Sequence, residues 1–164
     1  MINLKNIQYK ISQKIILQNI DLNIQEGKTK VIMGKNGSGK STLLKLLNQV
    51  IKPTSGLFDS TLSKPVPMLF QKPLMLQNSV NYNYHILQKI KKYQINHTWF
   101  KKFDLSHLSN QKMNSLSEGE KQKVFISRIM SFDQSHLFLD EPNQSLDLQS
   151  EKLLITQNQN QLQL

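Results

Sequence analysis

A nine-residue segment near the N-terminus restricts the fold of this 164-residue chain more than any other feature. Residues 34–42 read Gly-Lys-Asn-Gly-Ser-Gly-Lys-Ser-Thr and match G-x-x-x-x-G-K-[ST], a glycine-rich loop between a strand and a helix. Residues 30–33 form a short apolar strand pattern before the loop, and leucines with helical spacing follow it up to Val50. This order of strand, loop and helix is the one that a phosphate-binding loop requires.

The residue types of this loop suit the binding of a nucleoside triphosphate, and we infer that the loop binds ATP. Glycines let the backbone N–H groups approach phosphate oxygens, and the helix that follows points its positive end at them. Lys40 supplies a charge to the β- and γ-phosphates, the Ser41 hydroxyl can bind Mg²⁺, and Thr42 can support the α-phosphate. The predicted nucleotide ligands of the loop are Gly34, Asn36, Gly37, Ser38, Gly39, Lys40, Ser41 and Thr42.

Two further segments carry chemistry. Residues 137–141 read Leu-Phe-Leu-Asp-Glu, so a buried strand would deliver two carboxylates at its end. Asp140 can hold Mg²⁺ through water, and Glu141 can polarise the water that attacks the γ-phosphate. Residues 116–120 read Leu-Ser-Glu-Gly-Glu, in which Ser117 and Glu120 match a capping box at the start of a helix that runs to about Met130.

Hydrophobic patterning predicts the remaining elements. Alternation predicts a strand at residues 2–8 and one or two strands at 15–24, and apolar runs predict strands at 57–60, 66–70 and 137–139. Helical periodicity marks residues 80–92 and 97–103. Residues 156–164 are rich in Gln and Asn, and we expect this low-complexity tail to be disordered or frayed.

Composition excludes several classes of protein. The chain has no cysteine, which excludes disulfides and Cys-ligated zinc, and no apolar run reaches the roughly 18–20 residues that span a bilayer. No signal peptide is evident, so we expect a cytoplasmic protein. The formal net charge is +10, but the lysines are spread along the chain, which favours a solvated surface and no nucleic-acid partner.

With these three motifs in this order, residues 2–147 resemble the ATPase subunits of ABC transporters. Residues 34–42 are similar to the family's Walker A motif, 137–141 to Walker B, and 116–120 to the signature, usually Leu-Ser-Gly-Gly-Gln. In the same register Gln71 resembles the glutamine of the Q-loop, residues 145–147 the D-loop, and Tyr9 the aromatic residue that stacks on adenine.

The resemblance implies an α/β fold of the P-loop NTPase type in one domain, residues 1–164, with an N-terminal antiparallel β portion and a helical subdomain at about 72–116. It implies that Glu141 and Gln71 are catalytic, and that Ser41, Gln71 and Asp140 hold Mg²⁺. It also implies a head-to-tail dimer with two ATP molecules, in which Ser117 and Gly119 contact the partner's nucleotide. A membrane permease would bind residues 73–83, which places the protein at the cytoplasmic face of a membrane.

The sequence departs from the family pattern in two respects. The signature carries Glu118 where Gly is usual and Glu120 where Gln is usual, and we expect Glu118 to point away from phosphate. In the family a further core strand follows the D-loop and ends in a histidine, whereas only residues 148–164, without histidine, follow here. We therefore expect a core sheet that lacks a strand and a weakened hydrolysis. Four earlier histidines are interpreted as structural or surface residues: His85, His97, His107 and His136.

Three functional hypotheses follow. The first is the energy-coupling subunit of an ABC transporter, and residues 69–80 resemble those of importers for oxyanions such as tungstate, molybdate or phosphate. The second is a soluble ABC-type ATPase in translation, DNA repair or iron–sulfur assembly. The third is an incomplete ATPase with weak activity.

Overall fold

A computed structural model describes residues 1–62, 66–91, 95–132 and 136–160 of the chain. Strands alternate with helices along these ranges, which confirms the expected α/β class. The chain divides into two compact units, one of residues 1–66 and one that begins at Pro67. Across the ranges described, the search for a helix long and apolar enough to cross a bilayer finds none.

The first unit contains an antiparallel sheet. Its strands are β1 (Ile2–Ile11), β2 (Lys14–Ile24) and β3 (Ser55–Ser60), in the order β2-β1-β3. The predicted strands at 2–8, 15–24 and 57–60 are confirmed, and 15–24 is a single strand. Alternation in β1 buries Ile2 and Leu4, and Ile7 is also buried beyond a register irregularity that interrupts the alternation between Leu4 and Ile7.

The glycine-rich loop leads into helix α1 (Lys40–Leu47), as predicted. The prediction of a strand at residues 30–33 is wrong, because these residues form no strand in the structure. Val31 is 76% exposed and Met33 is 88% exposed, and within the described ranges no strand pairs with this segment. Strand propensity is realised only against neighbouring strands and buried surface, which this segment lacks here.

Among its described residues, the second unit contains a two-stranded parallel sheet and four α-helices. Strands β4 (Met68–Leu69) and β5 (Phe138–Leu139) are shorter than the predicted 66–70 and 137–139, but they lie within those ranges. Phe138 N–H donates to the Pro67 carbonyl over 3.1 Å, and Asp140 N–H donates to the Leu69 carbonyl over 3.0 Å. The helices are α2 (Val80–Lys91), α3 (Thr98–Lys102), α4 (Glu118–Met130) and α5 (Leu148–Asn160).

These helices confirm the predicted ones at 80–92, 97–103 and 117–130, although Lys92 lies outside the described residues. Helix α5 was not predicted. Of the two expectations for the tail, disorder is wrong as far as Asn160, where α5 ends, and fraying is not tested; residues 161–164 lie outside the described residues.

Helix α4 is the centre of the core in the second unit. Its buried residues Val124, Phe125, Ile126 and Ile129 join apolar side chains of α2 and α3, including Tyr84, Trp99 and Phe100. Arg128 is also buried, stacks over the ring of Phe125 at 5.2 Å, and donates from Nη1 to the Asn83 carbonyl over 3.3 Å. Burial lowers the pKa of Arg128 to about 10, so the guanidinium stays charged at neutral pH.

Asn83 fixes the segment between Gln71 and helix α2. Its side chain is fully buried, its Oδ1 accepts from Leu76 N–H over 2.9 Å, and its Nδ2 donates to the carbonyls of Leu76 and Ser79 over 3.0 and 3.1 Å. The amide of asparagine supplies two N–H donors and an acceptor oxygen in one small side chain. Residues 76–79 therefore have a defined conformation that depends on one side chain.

Replacing Asn83 by Ala removes these bonds and takes away the acceptor of the half-buried Leu76 N–H, while the Leu76 and Ser79 carbonyls keep their bonds from Asn78 N–H and Asn83 N–H. We expect Asn83→Ala to lower the free energy of unfolding by about 2–3 kcal/mol in urea denaturation. Asn81→Ala is the matched control, because Asn81 is an exposed asparagine in the same helix. Equal unfolding midpoints for the two variants would show that the Asn83 bonds contribute nothing.

Candidate functional site

The glycine-rich loop of the first unit is closed by its own lysine. Lys40 Nζ donates to the carbonyls of Gly34 and Lys35 over 2.9 and 3.1 Å, and Ser38 N–H donates to the Lys35 carbonyl over 3.2 Å. These bonds hold the ammonium group at the beginning of the loop. The charge of Lys40 and the N-terminus of α1 therefore lie at opposite ends of one short loop, an arrangement that suits an anion.

Gly39 has a close neighbour as well as a special backbone conformation. Its φ is +93°, and a Cβ at this position would lie 2.9 Å from Leu17 Cδ2 and 3.1 Å from the Ile16 carbonyl oxygen. Only glycine combines this φ with so close an approach to β2. Leu17 is paired across the sheet with Tyr9, which is half-buried, so the predicted adenine-stacking residue belongs to the sheet that supports the loop.

The second unit brings Gln71 and Glu141 together. Gln71 follows β4 and Glu141 follows β5, and because these strands are parallel, both residues leave the sheet at the same edge. Gln71 Nε2 donates to Glu141 Oε2 over 3.0 Å. Asp140 lies at the same edge and is 3% exposed. Glu141 has a φ of +50°. Residues other than glycine rarely adopt this backbone conformation, and where they do it often marks a functional position.

The segment 117–120 forms the capping box that the sequence predicted. Ser117 N–H and Ser117 Oγ both donate to Glu120 Oε2, over 2.8 and 2.7 Å, and Glu120 N–H donates to Ser117 Oγ over 3.3 Å. The hydroxyl of Ser117 lowers the pKa of Glu120, so the carboxylate is ionised at neutral pH. The Glu118 side chain is 78% exposed and accepts from Lys121 Nζ over 2.7 Å, so it points towards solvent.

Gly119 packs against residues of the same unit. A Cβ at this position would lie 2.8 Å from the Ser145 carbonyl oxygen, and Ser145 itself has a φ of +65°. The sequence suggested that this glycine allows close approach to a bound phosphate. The structure adds a second reason, which is the close contact between the N-terminus of α4 and the backbone at Ser145.

Two residues that the sequence analysis did not single out connect α4 to the segment after β5. Gln122 Nε2 donates to the Pro142 carbonyl over 3.1 Å, and Lys123 Nζ pairs with Asp147 Oδ2 at 2.6 Å. Asp147 also caps α5, because its Oδ1 accepts from Ser150 N–H over 2.8 Å. Polar residues on a half-buried helix turn give no signal of their own, so only the folded structure identifies Gln122 and Lys123.

Comparison with known proteins assigns the chain to a family. A family model described as ABC transporter matches residues 17–144. The chain belongs to the ABC transporter family. It is 37% identical over 160 residues to the zinc import ATP-binding protein ZnuC of Psychrobacter cryohalolentis, covering 92% of this chain and 64% of that protein. It is 37% identical over 153 residues to ZnuC of Haemophilus influenzae, covering 90% of this chain and 56% of that protein.

A solved structure of the family has the same fold. The dimeric bacterial ABC transporter cassette MJ0796 superposes with a TM-score of 0.78 at 27% identity, covering 98% of this chain and 84% of that one. The resemblance inferred from the motifs is thereby confirmed for the family and the fold. The chain spans less than two thirds of the length of the two ZnuC relatives.

The Lys123–Asp147 ion pair generates a prediction about pH. Hydrogen bonds from Lys123 and from the Ser150 backbone hold the pKa of Asp147 well below its usual value. A lowered folded-state pKa stabilises the protein fully above the unfolded value of about 3.9, and this stabilisation is lost as the pH falls through the folded value. We expect Asp147→Asn to lower the free energy of unfolding by about 0.5–1 kcal/mol at pH 7, a modest amount because the pair is partly exposed. Below about pH 4 the loss should be smaller.

Urea unfolding of both proteins between pH 3 and pH 7 measures this difference. Asp59→Asn, which removes an exposed carboxylate from β3, is the control for the change in net charge. A cost of Asp147→Asn that is the same at pH 3 and pH 7 would contradict the assignment.

Proposed function

We propose that this chain binds and hydrolyses Mg-ATP as the energy-coupling subunit of an ABC membrane transporter. The observation that carries the proposal is the 3.0 Å contact between Gln71 and Glu141, which stand 70 residues apart in sequence. Family membership makes ATP the nucleotide, and the Gln71–Glu141 pair supplies groups that can orient a water molecule. We also propose that residues 1–164 act as one cassette with a helical subdomain at about 72–116.

Loop residues 34–42 would bind the phosphates through backbone N–H groups and Lys40. In the proposed complex Lys40 exchanges its two carbonyl acceptors for phosphate oxygens, a change that needs only side-chain rotation. Phosphate is the better acceptor because both partners are then charged. Tyr9 would stack on the adenine ring from β1.

The proposed Mg²⁺ ligands are Ser41, Gln71 and Asp140, which offer a hydroxyl, an amide and a carboxylate oxygen. Hard oxygen donors of this kind are those that Mg²⁺ prefers, with water and phosphate completing its coordination. The contact of Gln71 Nε2 with Glu141 leaves the amide oxygen of Gln71 for a cation. When bound, Mg²⁺ neutralises charge that develops on the phosphates.

Glu141 is the proposed general base. Its carboxylate would accept a hydrogen bond from the attacking water and draw the proton away from it as the bond to the γ-phosphate forms. Gln71 holds the carboxylate through Oε2, which leaves Oε1 for the water. The positive φ of Glu141 fixes where this carboxylate leaves the sheet.

A second nucleotide-binding chain is the proposed partner, either another copy or a related subunit. Ser117 and Gly119 would then contact the γ-phosphate held by the partner's loop, as the family resemblance implies. MJ0796, which shares the fold, is described as a dimer. The contacts of Gly119 with Ser145 and of Lys123 with Asp147 would make the signature and the D-loop move together with Glu141.

The second proposed partner is a membrane permease, which would place the chain at the cytoplasmic face of a membrane. Residues 73–83 would form its docking segment, and Leu74 in this segment is 74% exposed. Asn83 holds the same segment in shape through Leu76 and Ser79. Movement of the docked permease could therefore reach Gln71 through one short, ordered connection.

The proposed cargo is zinc. The two relatives described above are zinc import proteins, at 37% identity, whereas the oxyanion hypothesis rests on the short stretch 69–80. The soluble ABC-type ATPase and the incomplete ATPase are the alternatives, and the following experiments separate them from the proposal.

Steady-state ATP hydrolysis with Mg²⁺ tests the proposed activity. We expect turnover by the wild-type chain and a loss of at least about 100-fold in Lys40→Ala and in Glu141→Gln, the former through nucleotide binding and the latter through the base. Glu141→Gln should still bind ATP and should form an ATP-dependent dimer in gel filtration, which Lys40→Ala should not. Wild-type turnover equal to that of Lys40→Ala would leave the incomplete ATPase as the better account.

Disruption of the gene in its own host tests the cargo. We expect slower growth when zinc is chelated, restored by the wild-type gene and not by Glu141→Gln, and normal growth when molybdate, tungstate or phosphate is limiting. A growth defect on a limiting oxyanion alone would favour the oxyanion hypothesis. No defect on any of these media would favour a soluble ATPase.

A further inference from the structure

The hydroxyl of Ser117 is already engaged within its own chain. It donates to Glu120 Oε2 over 2.7 Å, and the same oxygen accepts from Ser117 N–H over 2.8 Å. One carboxylate oxygen thus takes both donors that Ser117 offers. Bonds to a charged acceptor are shorter and stronger than bonds to a neutral one, so this carboxylate holds Ser117 firmly.

Under the proposed function, on which this inference rests, Ser117 has to donate its hydroxyl to the γ-phosphate of a nucleotide held by a second chain. The hydroxyl has one hydrogen, so it cannot donate fully to Glu120 and to phosphate at once. Closure must therefore break the Ser117–Glu120 bond. Closure must also bring a negatively charged phosphate close to the Glu120 carboxylate, which lies next to that hydroxyl. Two negative charges at short distance repel each other by Coulomb's law.

We propose that Glu120 is a positioning residue that restrains Ser117 and opposes closure of the nucleotide-bound dimer. Its charge, and not its shape, produces the effect. A glutamine at this position keeps the length of the side chain and an oxygen that can accept from Ser117 N–H, so the capping box can persist. The glutamine bond to the hydroxyl is neutral and weaker, and the amide places no negative charge beside the phosphate.

Nearby positive charge only partly compensates the charge of Glu120. Lys123, and His107 when it is protonated, interact electrostatically with Glu120 and favour its ionised form. Lys123 is already paired with Asp147 at 2.6 Å, and the paired partner of Lys121 is Glu118. The carboxylate thus remains the negative group that contacts Ser117 directly.

The test compares Glu120→Gln with Glu118→Gln in the full chain. Both variants remove one carboxylate from the first turn of α4, but the carboxylate of Glu118 is 78% exposed and bonds to Lys121 instead of Ser117. We expect Glu120→Gln to raise ATP turnover about fivefold, the factor given by replacing a charged hydrogen bond with a neutral one. Glu118→Gln should stay within about twofold of the wild type.

Two further measurements separate restraint of Ser117 from a general structural effect. Equilibrium ATP binding to the single chain should be unchanged by Glu120→Gln, because the loop that binds ATP is not altered. The protein concentration that gives half-maximal turnover should fall, because closure of two chains becomes easier. Glu120→Gln should lower the free energy of unfolding by less than Ser117→Ala does, because Ser117→Ala removes the N-cap of α4 altogether.

The outcomes distinguish this inference from the proposed function. Turnover of the wild type above that of Lys40→Ala, with no gain in Glu120→Gln or an equal gain in Glu118→Gln, overturns the inference and leaves the proposed function standing. Absence of turnover in the wild type and in Glu120→Gln overturns both. Turnover in Glu120→Gln that exceeds the wild type, without a gain in Glu118→Gln, supports both.

Discussion

The parallel pairing of β4 and β5 is the interaction on which the candidate catalytic groups depend. Only two residues of each strand are paired, yet the ladder places the ends of both strands at one edge. Gln71 and Glu141 can bond to each other because they leave that edge side by side. Antiparallel pairing would send the two chain ends in opposite directions, and the amide and carboxylate would not meet.

A second set of contacts ties helix α4 to the segment that follows β5. Gln122 reaches the Pro142 carbonyl, Lys123 pairs with Asp147, and Gly119 lies against the backbone at Ser145. Since Pro142 directly follows Glu141, a displacement of the N-terminus of α4 would be transmitted to the candidate base over a few bonds. The signature and the Walker B segment are therefore one mechanical unit within the second part of the chain.

The sequence predicted local elements well and long-range contacts poorly. The capping box of Ser117 and Glu120 and the helix after Gly39 follow from interactions between residues close in sequence, and the strands at 2–8 and 15–24 are recognisable from their local apolar pattern although β1 also pairs with the distant β3. Residues 30–33 have an apolar pattern like that of the observed strands, but they form no strand. A strand also needs a neighbouring strand to pair with, which a local sequence pattern does not reveal. Lys123 and Gln122 could not be recognised, since their partners lie about 20 residues further along the chain.

The capping box itself connects folding with the proposed activity. A serine followed three residues later by a glutamate forms a capping box, which stabilises the N-terminus of a helix. Glu120 therefore stabilises the start of α4. The same carboxylate engages the hydroxyl that a nucleotide in a second chain would use, so a residue that stabilises the single chain makes closure of two chains harder. Glutamine, which the family usually has here, satisfies the helix with no charge. Glu120, one of the two positions at which the motif differs from the usual signature, is thus the one at which the requirements of the isolated helix and of the assembled site conflict.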